Sequence, residues 1–166
     1  MKREGAFTLV ELAVTLTLLA LVAMIAVPAT ADFLERNRQQ AQRHHLEGLL
    51  HEARARAVIE GRKTELCPSE DGISCTNDWT RPWLLRRVDD GEVYFRTEAV
   101  TSRSPLRWSG FTQSLRFYGN GTSPVSSGRF FQCHRNEIAW QLIVSRQGRI
   151  RPATASENNQ DVARCN

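Results

Sequence analysis

The sequence predicts an α+β fold in which a long N-terminal helix packs on a C-terminal antiparallel β-sheet or sandwich. Three observations predict this fold. Residues 7–31 form an apolar run that contains one charge, Glu11. Residues 32–62 carry apolar side chains near helical spacing. Residues 63–166 contain short β-like runs separated by turn residues, which is typical of an antiparallel head.

The apolar run is long enough to cross a membrane. From Phe7 to Ala31 it extends about 37 Å as a helix, against a hydrocarbon core of about 30 Å. Lys2 and Arg3 precede it, and such charges favour a cytoplasmic N-terminus. A removable secretory signal is the alternative, because residues 29–31 form an A-x-A cleavage pattern.

Two features of the run favour a retained anchor. It is long for a signal peptide, and Glu11 lies near its start, where a carboxylate in lipid needs a partner. Thr15 and Thr17 can return their hydroxyls to the helix backbone. Pro28 has no amide hydrogen, so we expect it to kink or loosen the helix.

The next segment reads as an amphipathic helix with one face against a sheet. Gly61 is a plausible C-terminal stop for it. The apolar residues at near-helical spacing are Leu34, Ala41, Leu46, Leu49, Leu50, Ala53, Ala57 and Val58.

Residues 63–166, the head, have the sequence pattern of a β domain. Turn signals occur at residues 89–91 (Asp-Asp-Gly) and 119–121 (Gly-Asn-Gly). The polar tail, 152–166, is predicted to be loop tied down by Cys165. The predicted strands are residues 64–67, 83–88, 92–96, 106–108, 114–118, 129–133, 139–145 and 148–151.

The four cysteines all follow the apolar run, and an even number there indicates disulfides in an oxidising compartment. Zinc is disfavoured because no C-x-x-C pair exists. We predict Cys67–Cys75, which closes a short loop, and Cys133–Cys165, which pins the tail. Four cysteines permit three connectivities, so the other pairings stay open.

Composition points away from catalysis and cofactors. The net charge of +4 is a mild excess, carried almost wholly by arginine. The sequence lacks a nucleophile motif, a phosphate loop and metal spacing, so we expect neither enzyme activity, nor a cofactor, nor a metal. His44, Glu47 and His51 share a possible helix face, which we interpret as solvated rather than metal-binding.

The N-terminus resembles that of type IV prepilins and type II secretion pseudopilins. Such chains have a peptidase site just before a phenylalanine, a glutamate at the fifth mature position and a proline at the twenty-second. Cleavage between Ala6 and Phe7 places Glu11 fifth and Pro28 twenty-second. The family has glycine before the cut, and here Gly5 lies one residue further back, so cleavage after Gly5 stays open.

The resemblance implies that the chain is processed, anchored in a membrane and then assembled with other subunits. Prepilin peptidase removes residues 1–6, and the new N-terminus is commonly methylated. Residues 7–31 anchor the subunit in the inner membrane, with the head periplasmic, before it assembles with other major and minor pilins or pseudopilins. Glu11 is then expected to pair with the α-amino group of a neighbouring subunit.

The head resembles one branch of these proteins, the GspH/FimT family of minor pilins and pseudopilins. The resemblance covers most of the chain in ordered patches. The residues that carry it are 53–58 in the helix, 66–67, Trp79, Trp83, 117–121, 130–133 and 143–151.

The last patch contains a Gly-Arg-x-Arg motif, which in FimT-like minor pilins is associated with DNA binding in natural transformation. Here it is Gly148, Arg149, Ile150 and Arg151, with Arg146 nearby. Alternating residues of an extended segment point to one side, and guanidinium groups suit phosphates. The hypothesis is therefore non-specific binding of double-stranded DNA. The alternative is an assembly subunit without a nucleic-acid role, in a pilus or a type II secretion system.

Overall fold

A computed structural model of the chain describes residues 8–98 and 104–165. The chain divides into two compact units, Met1–Asn37 and Arg38–Asn166. One helix, α1, is assigned from Leu9 to Glu60 and contributes to both units.

In the first unit, α1 presents apolar side chains on all sides. Those side chains are exposed, and by length and composition this helix can cross a membrane. Thr15 and Thr17 donate hydrogen bonds to the carbonyls of Leu12 and Ala13, as expected from the sequence. The helix assignment continues through Pro28 without a break.

The second unit contains two four-stranded antiparallel sheets. The first, sheet A, has the strand order β3-β2-β1-β5, and the second, sheet B, has the order β4-β6-β7-β8. The strands are β1 Thr64–Pro68, β2 Trp83–Arg87, β3 Val93–Arg96, β4 Arg107–Gly110, β5 Leu115–Phe117, β6 Gly128–His134, β7 Glu137–Val144 and β8 Ile150–Pro152.

The eight strands lie where the sequence predicted them, with ends shifted by at most two residues. The predicted turns contain Gly91 and Gly121, which both have a φ of +74° that glycine adopts without strain. Helix α1 stops one residue before Gly61, where the amide of Arg62 donates to the carbonyl of Ala57.

The core of the second unit forms between α1 and the two sheets. Leu46, Leu50 and Ala53 of α1 are fully buried against strand residues that include Leu66 of sheet A and Leu142 of sheet B. Burial of such side chains is the main favourable term in folding.

The predicted helix face is wrong at three positions, because Leu34, Ala41 and Val58 are exposed. Gln39 and Gln42 are buried instead. The amide of Gln132 donates to the Gln42 side-chain oxygen at 2.8 Å, and such bonding makes a buried glutamine tolerable.

The tail is not the loop that the sequence predicted. It forms helix α2, Ala155–Gln160, and a 3₁₀ helix, Val162–Cys165. Thr154 caps α2 by accepting from the Glu157 amide, and the Glu157 carboxylate accepts from the Thr154 amide. This capping box is the physical reason that a polar segment becomes helical.

Both expected disulfides are present: Cys67–Cys75 ties the loop after β1 to that strand, and Cys133–Cys165 joins strand β6 to the tail. The second bond fastens the 3₁₀ helix to strand β6. α2 and the 3₁₀ helix both contact β7, so the tail covers part of sheet B.

Candidate functional site

The Gly-Arg-x-Arg motif forms the tight turn from β7 into β8. Gly148 donates its amide to the carbonyl of Ser145 at 2.9 Å, and Ser145 donates back to Arg149 at 3.0 Å. Gly148 has a φ of +73°, a region that disfavours side chains. The turn therefore has a defined backbone.

The loop that contains Gly121 and Ser123 packs against this turn. A Cβ atom on Gly148 would lie 2.0 Å from the Gly121 carbonyl oxygen, so only glycine fits there. The same oxygen accepts a 3.0 Å bond from Arg54 of α1. Ser123 donates its amide to the Arg146 carbonyl at 2.9 Å. Gly148 thus serves close packing of the backbone, and Arg54 fixes the loop on which the turn rests.

Arg146 and Arg149, which we call the turn arginines, are both exposed. Within the described residues, neither side chain has a carboxylate within ion-pair distance. The Arg146 guanidinium lies 5.7 Å from the ring centre of Phe111. The turn therefore presents two positive charges to solvent.

Arg151 differs from the turn arginines because it is paired. Its guanidinium donates two bonds, of 2.9 and 2.6 Å, to the Glu157 carboxylate. The hydrogen bond from Arg151 and the Thr154 amide lower the pKa of Glu157 to about 2. Residues 141–156 contain three arginines and no acid, and the next residue, Glu157, folds back onto Arg151.

Asp161 organises further arginines beside the turn. It accepts from Arg129 of β6 and from Arg164 of the 3₁₀ helix. The Arg164 bond is the largest cause that holds the pKa of Asp161 below its ordinary value. No sequence motif includes Arg129, Asp161 or Arg164, because the helical tail that brings them together was predicted to be a loop.

Sheet A contains a different arrangement, the Glu65 cluster of Glu65, Arg86, Ser114 and Arg116. Glu65 is 2% exposed and accepts bonds of 2.6 to 3.1 Å from the other three. Burial raises the pKa of Glu65, but the bonds from Ser114, Arg86 and Arg116 offset this and hold it below its ordinary value. Arg86 also lies 3.3 Å from the Cys75 sulfur.

The processing residues Gly5, Ala6 and Phe7 lie outside the described residues. Glu11 lies in the first turn of α1, where its amide donates to the Thr8 hydroxyl at 3.3 Å. Its side chain is exposed in the isolated chain. A carboxylate in lipid is costly without a partner, and no ion pair to Glu11 occurs among the described residues.

Potential metal ligands do not assemble into a site on the α1 face. His44 lies 4.0 Å from Glu47, at the limit of an ion pair. In the described parts of the chain, the one close group of three ligand-type residues is Glu65, Cys67 and Cys75. The two cysteines of that group are joined in a disulfide, which removes the thiolates that bind metal.

An N-terminal apolar helix followed by a helix-backed antiparallel head defines a type IV pilin-like protein. Residues 42–148 match the family described as type II transport protein GspH. Residues 1–27 match the prokaryotic N-terminal methylation motif. The chain therefore belongs to the GspH family, and it is a minor pilin or pseudopilin of a type IV pilus or type II secretion system.

The fold is similar to that of a solved minor pilin. The type IV minor pilin FimU of Pseudomonas aeruginosa superposes with a TM-score of 0.60 at 23% identity, over 75% of this chain and 94% of that one. A second crystal form gives a TM-score of 0.56 at 22% identity, over 70% and 94%. Membership of this family of structural subunits implies inner-membrane anchoring, prepilin peptidase processing and assembly with other pilins.

A shorter likeness concerns the ribosome modulation factor of Cellvibrio japonicus. It is 32% identical over 76 residues, which are 44% of this chain and 93% of that protein. Because it covers less than half of this chain, the family assignment rests on the GspH match and the fold.

Proposed function

We propose that this minor pilin binds DNA non-specifically and takes part in DNA uptake during natural transformation. The observation that carries the proposal is the pair of exposed turn arginines, Arg146 and Arg149, which have no carboxylate partner among the described residues. Guanidinium groups form paired hydrogen bonds with phosphate oxygens. Contacts of this kind position DNA without reading its sequence.

Arg151 is the third member of the predicted set, and its role is conditional. Its side chain is 37% exposed and bonded to Glu157, so a phosphate must displace a carboxylate to use it. Two phosphate contacts give a slope of log affinity on log salt of about −1.8, and three give about −2.7. We expect a measured slope between these values and a dissociation constant of roughly 10⁻⁴ to 10⁻⁶ M.

The test is a titration of the full chain in non-ionic detergent micelles against a fluorescein-labelled DNA duplex at several salt concentrations. Changing Arg146 and Arg149 to glutamine is expected to reduce the slope by about two units. The matched control changes Arg38 and Arg62, two exposed arginines elsewhere in the second unit. Equal losses in the two double variants would mean that net charge alone drives binding, which would contradict a site at the turn.

We also propose the membrane arrangement that the N-terminal motif implies. Residues 1–6 are a leader removed before Phe7, residues 7–31 cross the inner membrane, and residues 32–62 lead into a periplasmic head of 63–166. Lys2 and Arg3 support a cytoplasmic N-terminus. Glu11 supports assembly, because pairing with a neighbour's α-amino group would neutralise it in lipid. Pro28 is proposed to tune the helix for that packing.

The mass of the mature N-terminus tests the processing step. A chain that begins at Phe7 is expected, and one that begins at Ala6 would move the cut by one residue. A chain that begins at Asp32 would mean that the apolar run is a removable signal, and it would contradict the proposed anchor.

An assembly subunit without a nucleic-acid role is the second candidate. The bidentate bond between Arg151 and Glu157 favours it, because this arginine of the motif has a structural partner. If the wild-type chain fails to bind DNA at low salt, this candidate replaces the first.

A further inference from the structure

Beside the turn arginines lies a cleft that the Gly-Arg-x-Arg motif does not include. Its volume is about 480 Å³, within the range of about 300–1,000 Å³ typical of ligand sites. Arg146 forms one side of it and Arg164 of the 3₁₀ helix another. Ser109, Arg129 and Ile143 line its floor, where they sit side by side in the register of sheet B.

The cleft carries a net positive charge. Three guanidinium groups, those of Arg129, Arg146 and Arg164, line it. One carboxylate, Asp161, bonds two of them, and Arg146 keeps its charge uncompensated by any described acid. Arg164 also donates to the Ser109 hydroxyl at 2.9 Å, which fixes its position at the rim. An anionic group is therefore the favoured occupant.

An aromatic ring stands at the mouth of the cleft. Phe111 is 77% exposed, although it follows directly on strand β4. Its loop is held in place, since the Trp108 indole donates to the Thr112 carbonyl at 2.6 Å and the Thr112 hydroxyl donates to Ser114 at 2.6 Å. The ring is therefore presented to solvent by a tethered loop and accompanied by the Arg146 guanidinium.

We propose that this cleft binds an unpaired nucleotide, with the base stacked on Phe111 and the phosphate beside Arg146 and Arg164. The inference rests on the proposed DNA binding and adds a preference for single strands or unpaired ends. Single-strand binders combine aromatic platforms with positively charged grooves, because an unpaired base has a free face. Inside a duplex both faces of each base are covered by its neighbours, so Phe111 has nothing to stack on.

The experiment compares two labelled DNA hairpins that share one duplex closed by a non-nucleotide linker, one blunt and one with a short tail of unpaired thymidines. Each is titrated against the full chain in non-ionic detergent micelles. We expect the tailed hairpin to bind about tenfold more tightly than the blunt one, as for one stacked base. Phe111→Leu keeps an apolar side chain without a ring and is expected to abolish that ratio. Phe111→Trp is expected to retain it.

Other outcomes overturn the inference in distinguishable ways. Equal affinity of the wild-type chain for both hairpins, or an unchanged affinity ratio in Phe111→Leu, would contradict nucleotide binding in the cleft. The turn arginines would then remain as the DNA site. Absence of binding to either hairpin sinks the proposed function as well. If Phe111→Leu instead blocks filament assembly and leaves the ratio intact, the cleft is a contact between subunits and not a nucleotide site.

Discussion

The Glu65 cluster of sheet A and the turn arginines of sheet B use the same residue type under opposite conditions. Arg86 and Arg116 converge on a carboxylate that is 2% exposed, whereas Arg146 and Arg149 extend into solvent without a described acid partner. Burial removes water from the carboxylate and from the arginines packed against it. The hydrogen bonds between them compensate for that lost hydration. The number of arginines alone therefore says little about function. The positions of the acidic residues decide which arginines remain available to bind an external anion.

Each sheet carries a disulfide, and removing the one that closes the longer loop gives the largest expected effect. Changing Cys133 and Cys165 to serine opens a loop with a sequence separation of 32, against 8 for Cys67 and Cys75. Loop-closure entropy predicts losses in unfolding free energy of about 3.7 and 2.6 kcal/mol respectively. Urea unfolding followed by tryptophan fluorescence measures both. A larger loss for the short loop would contradict the loop-length argument and point to the contact between Cys75 and Arg86.

Glu65→Gln tests the structural half of the comparison. The variant leaves two arginines beside a neutral amide, and we expect unfolding free energy to fall by about 3 kcal/mol. Arg149→Gln serves as the control from the other region, with an expected change within about 0.5 kcal/mol. The comparison fails if the two variants lose stability equally in urea unfolding.

Arg54→Ala tests whether the turn arginines depend on their support. Loss of the hydrogen bond to the Gly121 carbonyl is expected to cost about 1 kcal/mol of stability. Because that carbonyl packs against Gly148, DNA affinity should also fall, although Arg54 itself need not touch DNA. Arg54→Lys keeps a donor and the charge, so it should recover part of both. DNA affinity that falls without any loss of stability would instead indicate direct contact by Arg54.

The smallest expected effect is the part of the pH dependence of stability that comes from Glu157. Its pKa is about 2 in the folded chain, below its ordinary value of 4.5. As the pH falls, the Glu157 carboxylate is therefore protonated in the unfolded chain before it is protonated in the folded chain. Its contribution to stability is present above pH 4.5 and is lost as pH falls towards 2. Glu157→Gln should therefore flatten the decline of stability over that interval. The same change releases Arg151 and should strengthen DNA binding slightly. Weaker DNA binding by this variant would show that the ion pair positions Arg151 for the phosphate.

The strands and the anchor were predictable because their signals are local. Alternation and turn residues located all eight strands, and an apolar run with Glu11 and Pro28 in register located the helix and its family. The failure at Ala41 has a different cause. Spacing alone cannot tell that Gln42 accepts a hydrogen bond from the buried Gln132 of sheet B, or that Gln39 donates to the Cys133 carbonyl, so that both glutamines are buried.

The tail shows how a local signal was present and overlooked. Thr154 and Glu157 form a Thr-x-x-Glu capping pattern that predicts a helix start. Once α2 forms, Glu157 is brought back onto Arg151, and the following turn places Asp161 between Arg129 and Arg164. These ion pairs join residues that are distant in sequence or belong to different elements, so no sequence pattern revealed them.

The tail also has a consequence for the order in which the head matures. Cys75 follows Cys67 after 8 residues, so the first disulfide needs only a short stretch of chain to close. Cys165 lies beyond every strand, so the bond to Cys133 must wait for the rest of the chain. The 3₁₀ helix that it fastens supplies Arg164 to the cleft. A head in which that bond has not yet formed would thus lack the fastening that holds Arg164 beside the cleft.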